Sequence, residues 1–171
     1  VFVRVIFEVV LTASAHWQAL LPPLLAMMVW CGVVAAVVYR LALKQDKAGA
    51  SPAPPSELKG AILFGLLYAG VLVVVAAARE HFGDSGLYLA AAISGLTDMD
   101  AITLSTSRLV HNQQIETHTA WRMILLGGMA NMVFKGVLAC VLGARDFLKP
   151  LLLGMAAALA GGGAILLAWP W

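Results

Sequence analysis

The sequence predicts an all-α membrane protein: a polytopic bundle of about five transmembrane helices behind a truncated N-terminal one. Two observations carry this. Of the 171 residues, 61% are hydrophobic and only 12% charged, where a soluble domain is nearer ~45–50% apolar and ~25% charged. Apolar runs also recur at the roughly 20-residue length that a hydrocarbon core demands. They fall at 17–43, 59–80, 86–109, 121–143 and 150–169, preceded by a shorter run over 1–14. The whole chain, 1–171, reads as one transmembrane helical domain.

The first run, Val1–Leu11, is strongly apolar but too short to span, and no signal-cleavage pattern follows it. It reads as the end of a cut helix, and the chain as a C-terminal fragment of a longer protein. After the first full span, 44–57 (KQDKAGASPAPPSE) is rich in Pro, Ala and charge. That composition predicts a solvent linker. Gly83-Asp84-Ser85 offers a tight connection with a cap for the next helix. The stretch 111–119 (HNQQIETHT) is a polar loop, and Pro150 suits the first turn of the last helix.

Lys and Arg near span ends predict orientation. Arg40, Lys44, Lys47, Lys59, Arg108 and Arg122 are expected on one side, Arg79, Arg145 and Lys149 on the other. The first side is then cytoplasmic, and with it the 44–57 linker and the C-terminus of a multi-pass inner (plasma) membrane protein. Trp17, Trp121, Trp169 and Trp171 sit at span ends as an interfacial belt would, whereas Trp30 is expected to pack within the bundle.

The two ends of the chain resemble each other. Phe2-Val-Arg4, an apolar run, then Pro22 and Met27 echo Met132 to Lys135, then Pro150 and Met155. This predicts a parallel internal repeat with Arg4 matching Lys135.

The most informative segment is Gly95 to Thr103 (GLTDMDAIT), which sets Asp98 and Asp100 inside an apolar run. A charge at the bilayer centre costs at least ~2.5–3.5 kcal/mol, so such residues face a protein interior or a wet cavity. Two residues apart on an α-helix is about 200° around it. Both carboxylates can therefore share one cavity only if the helix unwinds near 95–97. Broken helices with freed carbonyls coordinate cations at the midplane of transporters. Thr97, Thr103 and Ser105 add oxygen ligands for a hard cation, and Asp98 and Asp100 are the candidate metal ligands. In the structural alternative one aspartate pairs with a lysine and the other caps a helix break.

On the following helix Gly127, Asn131, Lys135 and Ala139 recur every four residues. Lys135 needs a partner, and Asp98 or Asp100 is expected at its depth. Asn131 either lines the same cavity or bridges helices. Arg4 and Glu8, at i and i+4, are placed to neutralise each other.

Other chemistries lack support. A formal charge of +2 and no basic-aromatic ladder argue against nucleic acid. Cys31 and Cys140 lie in apolar runs without CxxC spacing and read as packing residues. His16, His81, His111 and His118 show no zinc spacing. No nucleophile–base set or phosphate loop is present in the sequence, so no enzyme and no resident cofactor is expected.

Gly95-Leu-x-Asp-x-Asp-Ala-Ile-Thr103, preceded by Gly83-Asp-x-Gly86-Leu-Tyr and followed by Asn131-x-x-x-Lys135, resembles a bacterial and archaeal membrane family. It is the domain of unknown function found C-terminal to MgtC/SapB domains. Phe2-Val-Arg4, and Glu57-Leu-Lys59 entering a Phe64-Gly65 helix, are similar too, so the likeness covers the whole chain. The chain departs where that family has Asn-Pro-Phe, carrying Pro54-Pro55-Ser56 instead. The resemblance implies an MgtC/SapB-type domain in the same full-length chain and a link to magnesium or cation homeostasis. The resulting expectation is a transporter or channel for a cation, divalent and magnesium-like, lying in the bilayer and able to form homo-oligomers. A non-transporting regulator or scaffold with structural charges is the alternative.

Overall fold

A computed structural model describes residues 1–13, 16–45, 62, 65–66, 69, 87–142 and 145–169. Regular structure among the described residues is entirely α-helical. The helices are α1 (Phe2–Thr12), α2 (Trp17–Gln45), α3 (Leu87–Thr97), α4 (Met99–His111), α5 (Thr117–Leu142) and α6 (Arg145–Ala168). Three of them, α2, α5 and α6, are long and apolar enough to cross a membrane. The expected span at 59–80 and most of the 44–57 linker lie outside the described residues.

Apolar spacing decides which faces are buried. In α1, Phe2, Val5 and Val9 turn inward, the i, i+3, i+7 pattern of one helical face. In α2 the inward set is Leu20, Leu24 and Met27. Pro22 and Pro23 sit inside its early turns, removing two amide donors where a membrane helix tolerates the loss. α6 begins at Arg145 rather than at Pro150, which lies within it. Trp30 packs as expected: its Nε1 donates to the Ala157 carbonyl at 2.9 Å, and its ring lies directly over Gly161. Trp121 is buried, 3% exposed, rather than part of an interfacial belt.

Contacts fix the direction of each helix. Val38 lies over Gly154, Trp30 over Gly161 and Met27 over Gly162, so α2 and α6 are antiparallel. Met155 lies over Gly136 and Met129 against Gly162, so α5 and α6 are antiparallel as well. His16, before α2, and 113–117, before and at the start of α5, line one cavity. We term that end of the bundle the near face, and the end holding the last turns of α2 and the start of α6 the far face.

The expected span over 86–109 is not a single traverse. Tyr88 shares a pocket with Arg122 and Leu126, Gly95 packs on Gly127, and Asn131 reaches the carbonyls of Gly95 and Leu96. α3 therefore rises from the near face alongside α5. From Met99, close to Gly128, α4 descends to the 112–116 loop. The chain enters and leaves by the same face, and α3 with α4 forms a re-entrant hairpin. Helices of 11 and 13 residues are about 16 and 20 Å long, roughly half of the distance across a ~30 Å hydrocarbon core and its interfaces.

α1 shares this half-depth geometry. The Phe2 ring lies over Gly128 beside Met99, and the helix descends to the near face beside α4. The repeat expected between the chain ends needs α1 and α5 to run the same way, and they run oppositely. The pairs that share direction are α1–α2 and α4–α5, each a half-depth helix followed by a long one.

Candidate functional site

The hairpin tip is one residue, Asp98, in extended conformation (φ −139°, ψ 106°) between the two half-helices. A helix end leaves four amides or four carbonyls without intrahelical partners. Asp98 resolves this for α4: its Oδ1 accepts from the Asp100 and Ala101 amides at 2.9 and 3.3 Å, an N-cap. Asn131 resolves it for α3. Buried on α5, it donates through Nδ2 to the Gly95 carbonyl at 2.8 Å and the Leu96 carbonyl at 3.5 Å. The approach is this close because Gly95 and Gly127 lie face to face. A Cβ at residue 95 would overlap the Gly127 backbone.

The Asp100 carboxylate turns toward α1. Arg4 Nη2 lies 2.5 Å from its Oδ1, and Arg4 Nε lies 3.9 Å from Glu8 Oε1. Glu8 Oε2 is buried without a hydrogen-bond donor, whereas Asp100 Oδ1 is held by the Arg4 guanidinium. One guanidinium therefore serves two carboxylates, with the Arg4 side chain 66% exposed and that of Glu8 only 15%.

The expected partner for these aspartates was Lys135, and the structure supplies Arg4 instead. No carboxylate among the described residues lies within 4.0 Å of the Lys135 ammonium. Depth is one reason. Asp100 stands about 16 Å above the end of α4 and Lys135 about 27 Å above the start of α5, at 1.5 Å per residue. Direction is the other. Each four-residue step turns a helical stripe by about 40°. The row that starts at buried Gly127 and Asn131 has therefore rotated outward by Lys135, which is exposed.

The remaining candidates divide. Thr103 is fully buried but donates its hydroxyl to the Met99 carbonyl at 2.8 Å. Ser105 is exposed and bonds the Ile102 carbonyl. Thr97 ends α3, and its side chain lies outside the described ones. Among the described residues no three His, Cys, Asp or Glu side chains converge as a metal-binding group. Sequence reasoning placed Arg4 as a secondary site residue, the mate of Lys135 beside one central path, and Glu8 only as its local partner; it passed over Thr106 and Ser107, which are fully buried with hydroxyls lacking partners. The signal for Ser107 was its spacing of seven from Asp100, which sets both on one face of α4.

Residues 1–143 match the family described as "Domain of unknown function (DUF4010)", and the chain belongs to that family. It is also similar to an uncharacterized protein of Aquifex aeolicus (strain VF5), 33% identical over 146 residues. That match covers 84% of this chain and 64% of the relative, so the chain spans less than two thirds of the relative's length. No solved structure matches.

Proposed function

We propose that this DUF4010 chain carries the ion site of a membrane transporter or channel for a cation, a divalent one being favoured by the carboxylate chemistry. The observation that supports this reading is the hairpin tip. A re-entrant pair of half-helices brings Asp98 and Asp100 to mid-depth, where a charge is costly unless it faces water or protein. Asp98 and Arg4 are both exposed there, so the tip needs a wet vestibule or further protein against it. Discontinuous helices of this kind set ion sites at the repeat interfaces of transporters.

The test is flux into proteoliposomes holding the full-length protein, across Mg²⁺, Mn²⁺, Ca²⁺, Na⁺ and protons. Asp100→Asn abolishes or strongly reduces flux while leaving the protein inserted. Wild-type flux with both aspartates replaced overturns the assignment.

The pairing at the tip favours a second reading. Asp98 is a cap, Asp100 an ion pair, and both duties are complete within the described residues. A regulator or scaffold needs nothing more of them. No flux for any ion from an intact wild-type protein selects this reading.

The MgtC/SapB-type domain in the same full-length chain rests on the resemblance alone, as does the prokaryotic inner membrane. Among the described residues Arg40, Lys44, Arg145 and Lys149 stand toward the far face, and Arg108 and Arg122 toward the near face. Positive charge thus favours a cytoplasmic far face. The end of α6 then lies outside, opposite to the cytoplasmic C-terminus expected from the sequence.

A further inference from the structure

We infer that an anionic phospholipid binds in the groove between the near-face ends of α3, α5 and α6, its phosphate on Arg122 and its acyl chain on Leu126, Leu166 and Leu167. The groove is lined by neither Asp98 nor Asp100, so the lipid site stands or falls apart from the ion-site reading.

Three helices build the groove. Among the described residues α3 and α6 both pack on α5 but not closely on each other, which leaves a furrow with α5 as its floor. The furrow is a cavity of about 420 Å³ lined by Tyr88, Arg122, Leu126, Leu166 and Leu167. Arg122 and Leu126 are i and i+4 on α5, one above the other on a single face. Tyr88 is the second residue of α3, and Leu166 and Leu167 fall in the last three residues of α6.

Depth orders these groups as a lipid is ordered. Arg122 lies five residues, about 7.5 Å, above the start of α5, and Leu126 is one turn deeper. A charge close to the helix end meets headgroups, and leucines beyond it meet acyl chains. The lining carries one charge, a positive one, and no acid, so the groove complements an anion. The Arg122 guanidinium lies 5.2 Å from the centroid of the buried Trp121 ring, a contact that steadies it. With five N–H donors, a guanidinium holds a phosphate beside any protein partner it also serves. Leu167 is 90% exposed, leaving an open side through which a chain joins the bilayer. A free phosphate gains nothing from the leucine wall, whereas a phospholipid uses both halves of the groove.

The experiment counts lipids retained by the full-length protein in detergent by native mass spectrometry, titrating phosphatidylglycerol against phosphatidylcholine with the same chains. Wild-type protein retains phosphatidylglycerol in preference. Arg122→Gln weakens that binding about tenfold, the scale of one charge-assisted contact. Arg108→Gln, at an exposed arginine toward the same face but outside the groove, leaves it unchanged. Arg122→Gln also loses the Trp121 contact, so Tyr88→Glu serves should that variant melt early. It sets a negative charge on the exposed groove wall, at a helix start where an acid is tolerated, and weakens binding as well. Glycerol 3-phosphate, which has the phosphate without the chains, does not compete. Equal retention of the two lipids, unchanged affinity in Tyr88→Glu, an equal loss in Arg108→Gln, or competition by glycerol 3-phosphate overturns the inference.

Discussion

The Arg4 guanidinium lies 2.5 Å from the Asp100 carboxylate, across two half-depth helices that run side by side. Neither residue is near the other in sequence, and neither helix crosses the bundle. Together with Phe2 beside Met99, this contact joins the start of α1 to the tip of the α3–α4 hairpin. It also sets the charge state of the site: with Arg4 in place the tip presents one positive group to two facing acids.

Topology is the first. With Cys31 and Cys140 replaced by Ala, single cysteines at Tyr88 and Gln113 should react with a membrane-impermeant thiol reagent from the same side. A cysteine at Lys149 should react from the opposite one. Labelling of Tyr88→Cys from the Lys149 side would restore a straight span over 86–109.

The tip separates charge from capping. Asp98→Ala deletes the acceptor for the Asp100 and Ala101 amides and should cost about 1 kcal/mol. Asp98→Asn retains an acceptor and should melt close to wild type. Equal losses in both variants would mean that the charge, not the cap, stabilises the tip.

Close packing of α3 on α5 leaves no room at Gly95. Gly95→Ala sets a methyl into the Gly127 backbone, so the helices must separate. Overpacking of this sort costs roughly 1–3 kcal/mol, and the same shift draws Gly95 away from Asn131. A lowered melting temperature for Gly95→Ala is the expected outcome, with no compensation from Gly127→Ala.

Asn131→Leu keeps the side-chain volume but removes the donor to the Gly95 and Leu96 carbonyls. Buried acceptors left unpaired cost about 1–3 kcal/mol. Faster hydrogen exchange at the end of α3, with exchange in α6 unchanged, is the local readout.

Gln113 follows α4 in the left-handed region, φ 58°. The turn closes with Gln114 N–H donating to the Leu109 carbonyl and Gln113 N–H to that of Val110, a Schellman-type end. A non-glycine residue in this conformation loses about 1 kcal/mol. Gln113→Gly should therefore raise stability by about that amount in thermal melting, whereas Gln113→Val should lower it.

The sequence by itself determined the class, the long helices and the address of the site. Apolar run length follows directly from bilayer thickness, so α2, α5 and α6 were legible from composition. Two carboxylates two residues apart cannot share a face of an intact helix, so a break near Asp98 was legible too. Its direction was not. A run of 25 apolar-dominated residues (87–111) has the same length whether it crosses once or folds back at its middle. Hydropathy records burial in lipid, not heading. Only tertiary contacts, Tyr88 beside Arg122 and Gly95 on Gly127, distinguish the two. The same contacts decided the partner of Asp100. Charge pairing needs shared depth and shared face, and both depend on how helices are turned and stacked. Reversing the chain at Asp98 brought α4 beside α1, which put Arg4 within reach and left Lys135 about 10 Å too high on α5.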